Sequence, residues 1–403
     1  MPTYKLKDLV QEVISGEWGQ EVTGEMTGVK VIRTTNFSNS GKININKDIV
    51  FRDIDVDKVE KKKLIVGDTI IEKSGGSPEQ PVGRVVYFEE DDLYLCNNFT
   101  SILRPNRELI LPKYFMYLMF NLYRTRKVLK FQNKTTGIIN LKLDQYLNQT
   151  KVTIPSMNIQ MKIVKVLDHT FEVINKRQSQ ITALEELTQS VFLEMFQDNK
   201  DSSKVSIEQV VDSIEAGWSV SGEERAKEEK ETAVLKISAV TKGYFNDNEY
   251  KVLNPNIEIK KAVYPHKGDI LFSRANTREL VGASAIVPKD YNDLILPDKL
   301  WKINLRKEII TPEYFHTVIN SKKIRNEFSK NATGTSGSML NISMQKFKGV
   351  EINLPSIEKQ QLFSKKFNKI QQMKQNLINS QEEINVLYRS LLQKAFKGEL
   401  FQQ

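Results

Sequence analysis

The chain is one unit written twice, and that duplication constrains its fold more than any local motif. Ile154-Pro155-Ser156 returns as Leu354-Pro355-Ser356, a shift of 200 residues. The same shift carries Trp18 onto Trp218, Pro112 onto Pro312, Tyr114-Phe115 onto Tyr314-Phe315 and Gly137 onto Gly337. It also carries Gln160 onto Gln360, Leu187 onto Leu387 and Phe196 onto Phe396. Gly67-Asp68 matches Gly268-Asp269 and Val82-Gly83 matches Val281-Gly282 with shifts of 201 and 199, so small insertions and deletions separate the copies. A period this long is too large for a solenoid repeat and describes two domain-sized copies. The 403 residues fit that division, because single cores stop growing well below this length.

Each copy has two parts. The first mixes strand and turn signals, over residues 1–150 and again over about 204–350. Leu64 to Ile71 and Lys267 to Phe272 read as a turn followed by a short apolar strand, and Val82–Phe88 and Val281–Val287 as the strands that follow. Pro112 and Pro312 predict helix starts, over Lys113–Lys130 and Glu313–Lys330. These parts are expected to be compact α+β domains.

The second part of each copy is a long helix. Between Asn158 and Phe196 there is neither Gly nor Pro, and Leu167, Ile174 and Ile181 recur every seven residues beside Phe171, Leu184, Leu187 and Val191. In the second copy Ile370, Leu377, Ile384 and Leu391 repeat the spacing, flanked by Phe367, Leu387 and Tyr388, and Gly398 supplies a C-cap. Sustained sevens predict coiled-coil packing. Thr170 and Arg177 interrupt the first seam and Lys374 the second. Polar seam residues select partner and register, so the two helices are expected to pair with one another, and symmetry favours an antiparallel pair.

Several functions are excluded. No stretch of eighteen apolar residues is present, and Met1-Pro2-Thr3-Tyr4-Lys5 lacks a signal-peptide core. Cys96 is the single cysteine, so no internal disulfide forms and a cytoplasmic chain without a membrane partner is expected. His169, His266 and His316 are scattered and give no zinc spacing; no phosphate-binding loop or nucleophile elbow occurs. Asp68-x-x-x-Glu72-Lys73 has the residue types of a nuclease site, but copy two offers Asp269 with Ser273 and Arg274, so Asp68 and Asp269 read as turn residues. Neither catalytic nor metal-ligating residues are expected.

What remains is basic and amide-rich loops in a chain of net charge +9, suited to a polyanion. Copy one offers Arg33, Thr35, Asn36, Lys73, Ser74, Arg84, Lys134 and Thr136; copy two offers Ser238, Ser273, Arg274, Asn276, Arg278, Ser336 and Ser338. Such side chains reach phosphates and base edges. The copies differ most in these loops while sharing a framework, as expected if one scaffold reads two sequences. A coiled-coil assembly scaffold whose domains bind protein is the alternative reading, with a standalone nuclease as a third.

The duplicated order resembles the specificity subunit of type I restriction–modification systems. The matching residues are Gly268 to Arg274 with Val281-Gly282, the two Pro-Ser motifs leading through Gln160 and Gln360 into long helices, and the closing Lys394-Ala395-Phe396-Lys397-Gly398-Glu399-Leu400. Copy one departs from the pattern at Glu72-Lys73-Ser74. The resemblance implies an α+β chain with a pseudo-two-fold internal repeat: target-recognition domains at residues 1–153 and 201–353, separated by a central long helix at 154–200 and a C-terminal one at 354–403 that form an antiparallel coiled coil. It implies that each domain reads half of a bipartite site in double-stranded DNA, and that the helix pair sets the spacer and docks two methyltransferase subunits. Leu167, Ile174, Ile181, Leu184, Ile370, Leu377, Ile384 and Leu391 are the candidate helix-pairing residues. Cofactors lie elsewhere: S-adenosylmethionine in the methyltransferase, which methylates adenine, and ATP and Mg in restriction subunits. The chain itself would do no chemistry.

Overall fold

The computed structural model describes residues 1–23, 28–135, 138–197, 202–334 and 339–401, with the side chains of Lys134 and Thr135 outside that description. Contacts divide the chain into two compact units: Met1–Gln178 with Asn379–Gln403, and Ser179–Ile378. This division cuts both long helices near their middles, whereas the four segments expected from sequence follow secondary structure.

The two units share one strand order. In the first, Val10–Ser15, Thr100–Pro105, Thr69–Glu72 and Val85–Tyr87 form an antiparallel sheet in that sequence. In the second, Val211–Ala216, Leu300–Leu305, Ile270–Ser273 and Ser284–Ile286 repeat it. A further sheet places Val50–Asp53 beside Val29–Ile32 and then, in parallel, Tyr94–Cys96. Its counterpart is Tyr250–Val252, Ala233–Leu235 and parallel Leu294–Ile295. Thr3–Lys5 pairs with Lys151–Thr153, and Ser203–Ser206 with Glu351–Leu354, at the junction with each long helix.

The repeated motifs have repeated jobs. Gly67 and Gly268 adopt φ of 104° and 86°, a left-handed turn in which the next residue's carboxylate closes the loop. Asp68 accepts from Ile65 N at 2.9 Å, and Asp269 from His266 N at 2.7 Å. Each carboxylate also meets a cation from the neighbouring strand, Arg104 at 3.0 Å and Lys302 at 2.9 Å. Gly83 and Gly282 need glycine twice over: φ is 106° and 82°, and a Cβ would stand 3.1 Å from Val128 and 2.7 Å from Phe328.

Gln160 and Gln360 are buried and make the same three bonds. Gln160 Oε1 accepts from Leu111 N at 2.9 Å while Nε2 donates to Leu109 O and Pro155 O. Gln360 repeats this with Thr311 N, Ile309 O and Pro355 O. A single amide therefore satisfies the chain entering the Pro112 or Pro312 helix and ties it to the first turn of the long helix.

Both Pro-initiated helices are shorter than expected. The first runs Pro112–Arg124, ends where Arg126 takes φ 58°, and continues as a 3-10 turn at Lys127–Phe131. The second breaks into Pro312–Ile319 and Lys322–Asn331, because Ser321 caps a new helix by accepting from Ile324 N. The expected strands at Val82–Phe88 and Val281–Val287 likewise shorten, to Val85–Tyr87 and Ser284–Ile286.

The long helices are Met157–Phe196 and Ile357–Lys397. In the first unit Phe171 packs on Tyr388, and Gln381 Nε2 donates to Gln178 Oε1 at 3.2 Å. In the second unit Lys374 Nζ donates to Glu185 Oε1 at 2.6 Å, and Phe196 packs on Phe363. In both, ascending numbers on one helix meet descending numbers on the other, so the halves pair antiparallel. Of the candidate pairing residues, Leu167, Ile181 and Ile370 are buried, and Ile174, Leu184, Leu377, Ile384 and Leu391 are half-buried.

Two seam expectations are corrected. Leu187 and Leu387 are 44% and 52% exposed; their neighbours Thr188 and Tyr388 turn inward instead. The period is right, but these leucines sit one position off the stripe. Thr170 bonds Val166 O of its own helix rather than a partner.

Candidate nucleic-acid interface

In both units the candidate loops hang on one backbone frame. Glu72 N donates to Arg84 O at 2.9 Å, and Ser273 N to Ala283 O at 2.8 Å. Lys73 N donates to Phe99 O at 2.9 Å, and Arg274 N to Lys299 O at 3.1 Å. Leu141 N donates to Lys73 O at 2.8 Å, and Ile342 N to Arg274 O at 2.9 Å. Lys73 and Arg274 are thus one structural position, each held at a strand end between a turn (97–100 or 297–300) and a returning strand. The frame is fixed by backbone bonds, so its side chains are free to differ between copies.

Copy one's departure at Glu72 is resolved by a second change. Arg84 Nε and Nη2 bond the Glu72 carboxylate at 2.8 and 3.1 Å, and Nη2 also reaches Thr34 O at 3.2 Å. Copy two has Ser273 and Ala283 in these two places. One copy holds an acid and an arginine where the other holds two small residues, and the ion pair has side-chain exposures of only 3% and 14%. Asp68 is likewise paired with Arg104. Both carboxylates of the apparent nuclease motif are neutralised by arginines, and among the described residues no cluster could hold a metal ion.

The structure sorts the candidates. Asn36 is fully buried; its Oδ1 accepts from Arg33 N and its amide bonds Asn44 O and Lys47 O, so it shapes its own loop instead of facing outward. Arg33 Nη2 donates to Asp48 O, and Thr35 is exposed. Arg84 is committed to Glu72. Lys73 Nζ donates to Ser15 Oγ, and burial lowers its pKa. Ser74 bonds the Asn140 side chain. In copy two Ser273 is fully buried, and the half-buried Ser238 donates to Glu249 at 2.6 Å. Arg274 Nε donates to Asp298 O at 2.9 Å, and Asn276 Oδ1 accepts from Thr277 N. Arg278 is exposed. Thr136, Ser336 and Ser338 lie outside the described residues, as does the Lys134 side chain.

Residue chemistry alone passes over the turns that complete the frame. Phe99 is 48% exposed, and Asn97 is buried with Oδ1 lacking a hydrogen-bond partner; Arg33 Nε is in the same state. Lys299 takes the place of Phe99 in copy two. The 200-residue shift was the available signal: these residues stand where the copies share backbone bonds and differ in side chain.

Comparison with known proteins agrees with the duplicated architecture. The family model "Type I restriction modification DNA specificity domain" matches residues 2–185 and again 199–388. The EcoKI specificity subunit of a type I restriction enzyme from Escherichia coli K12 is 24% identical over 398 residues, covering 93% of this chain and 82% of that one. The EcoEI specificity subunit from Escherichia coli is 30% identical over 151 residues, 37% of this chain; the match spans only 25% of that relative's length. The crystal structure of a type I restriction–modification S subunit from M. genitalium superposes with a TM-score of 0.58 at 14% identity, covering 98% of this chain and 96% of that one. The chain belongs to the type I restriction modification DNA specificity family, the non-catalytic recognition component of such systems.

Proposed function

We propose that each α+β domain reads one half of a bipartite site in double-stranded DNA, and that the helix pair sets the unread spacer and docks two methyltransferase subunits. The observation that carries this reading is the twin frame. Identical backbone bonds present Lys73 beside Phe99 in one unit and Arg274 beside Lys299 in the other. Two readers built alike but furnished differently suit a site with two unlike halves. A net charge of +9 supplies the sequence-independent attraction to phosphates.

The spacer role is supported by helix length. A helix of 40 residues is about 60 Å long, more than one B-DNA turn of about 34–36 Å. The docking role is supported by Leu187 and Leu387, exposed at repeat-equivalent positions, one in each unit. In this reading the partners carry the chemistry: S-adenosylmethionine-dependent adenine methylation, and, with restriction subunits using ATP and Mg, cleavage of unmethylated DNA. The setting is the cytoplasm; among the described residues no helix is long and apolar enough to cross a membrane.

Methylation-aware sequencing of cells expressing the chain with its methyltransferase partner tests the proposal. One adenine-methylated motif in two halves around a fixed gap is expected. A contiguous motif, or none that depends on this chain, would overturn it.

A further inference from the structure

Phe99 is a large apolar side chain exposed at the tip of a turn that is braced by hydrogen bonds on both sides. Its carbonyl accepts from Lys73 N at 2.9 Å and Ser74 N at 3.2 Å. The turn itself is closed by Thr100 N and Oγ1 on Asn97 O at 3.0 and 2.7 Å, while Asn97 N is bonded to Ile32 O at 2.9 Å. Gly16 packs so closely on this turn that a Cβ there would stand 2.0 Å from Asn97 O. Apolar rings enter DNA by prying apart a base step, which costs a few kcal/mol, so the ring must arrive on a rigid support. Phe99 has one: five hydrogen bonds brace its turn.

Resting on the reading that this domain binds duplex DNA, we infer that Phe99 is a wedge that inserts between base pairs of the half-site read by the first unit. Copy two has Lys299 at this point, with Arg274 bonding Asp298 next to it. The two halves therefore differ at this point: the first domain carries a wedge here and the second, with a lysine in its place, does not. The first half-site should contain a flexible pyrimidine–purine step opposite Phe99, because such steps unstack most easily.

The test uses the full chain in complex with its methyltransferase partner, and duplexes carrying the methylated bipartite motif with 2-aminopurine at one position at a time. Away from the methylated adenines, which the methyltransferase flips out of the stack, wild type should raise fluorescence severalfold at one step of the first half-site and at none of the second. Phe99→Ala should abolish that rise and weaken binding on the order of tenfold, while Phe99→Leu, still an apolar wedge, keeps part of both. Since the ring is half-exposed, thermal unfolding of each variant should match wild type, and Phe99→Leu carries the test if the alanine variant does not fold. A rise that persists in Phe99→Ala, or binding within twofold of wild type, overturns the wedge while leaving DNA reading intact. Failure of wild type to bind the motif overturns both.

Discussion

Replacing Arg84 by alanine would leave Glu72 as an uncompensated charge inside the first unit. The carboxylate is 3% exposed and loses bonds of 2.8 and 3.1 Å, while Thr34 O loses its partner at 3.2 Å. Breaking a buried pair from one side costs about 3–5 kcal/mol, a large part of a domain's total stability of about 5–15 kcal/mol. The second copy shows the remedy, since Ser273 and Ala283 occupy the same frame without charge. Glu72→Ser combined with Arg84→Ala should therefore recover most of the loss, giving a coupling of about 2 kcal/mol or more in a double-mutant cycle. The assay is urea unfolding read by hydrogen exchange in Thr69–Glu72 and Val85–Tyr87. DNA affinity is measured alongside it: the double variant should bind almost as wild type, because Arg84 serves Glu72. A cost below about 1 kcal/mol for Arg84→Ala, a double variant no better than the single, or loss of DNA binding with stability restored would refute this reasoning.

Gln160→Ala and Gln360→Ala should each destabilise their own unit by about 2–4 kcal/mol in urea unfolding, since each leaves three backbone groups without their side-chain partner; a loss in only one of the two variants would break the equivalence. His316 is buried against Ser284 and Asn320, and burial lowers its pKa from 6.5 to about 4. The unfolded chain takes up this proton first, so the second unit should lose about 1.4 kcal/mol per pH unit as pH falls from about 6.5 towards 4. His316→Met, the residue copy one has at Met116, should remove that slope, and an unchanged slope in urea titrations would show that His316 is not its source. Inserting seven residues into both long helices adds about 10 Å, equivalent to about three base pairs, so the gap in the methylated motif should lengthen or methylation should cease; an unchanged gap would sink the spacer role.

The duplication made the architecture legible. Gly-Asp, Val-Gly and the paired glutamines each recur because a positive φ, a close approach or a buried amide demands one residue type, and such demands survive divergence. Long-range pairing was not legible. Arg84 reads as a DNA-contacting arginine until the fold brings it to Glu72, and Asn36 reads as a base reader until its amide is found closing its own loop. Leu187 and Thr188 differ by one helical step, and composition favours the wrong one for the seam. The break at Ser321 depended on a local cap outcompeting helix continuation, a balance of about 1 kcal/mol that pattern alone does not resolve.

Exchanging residues 1–150 for the corresponding domain of a related chain and sequencing the resulting methylated motif measures the modularity of the two readers. The account predicts a new first half, an unaltered second half and an unaltered gap. A motif changed in both halves, or in neither, would contradict it.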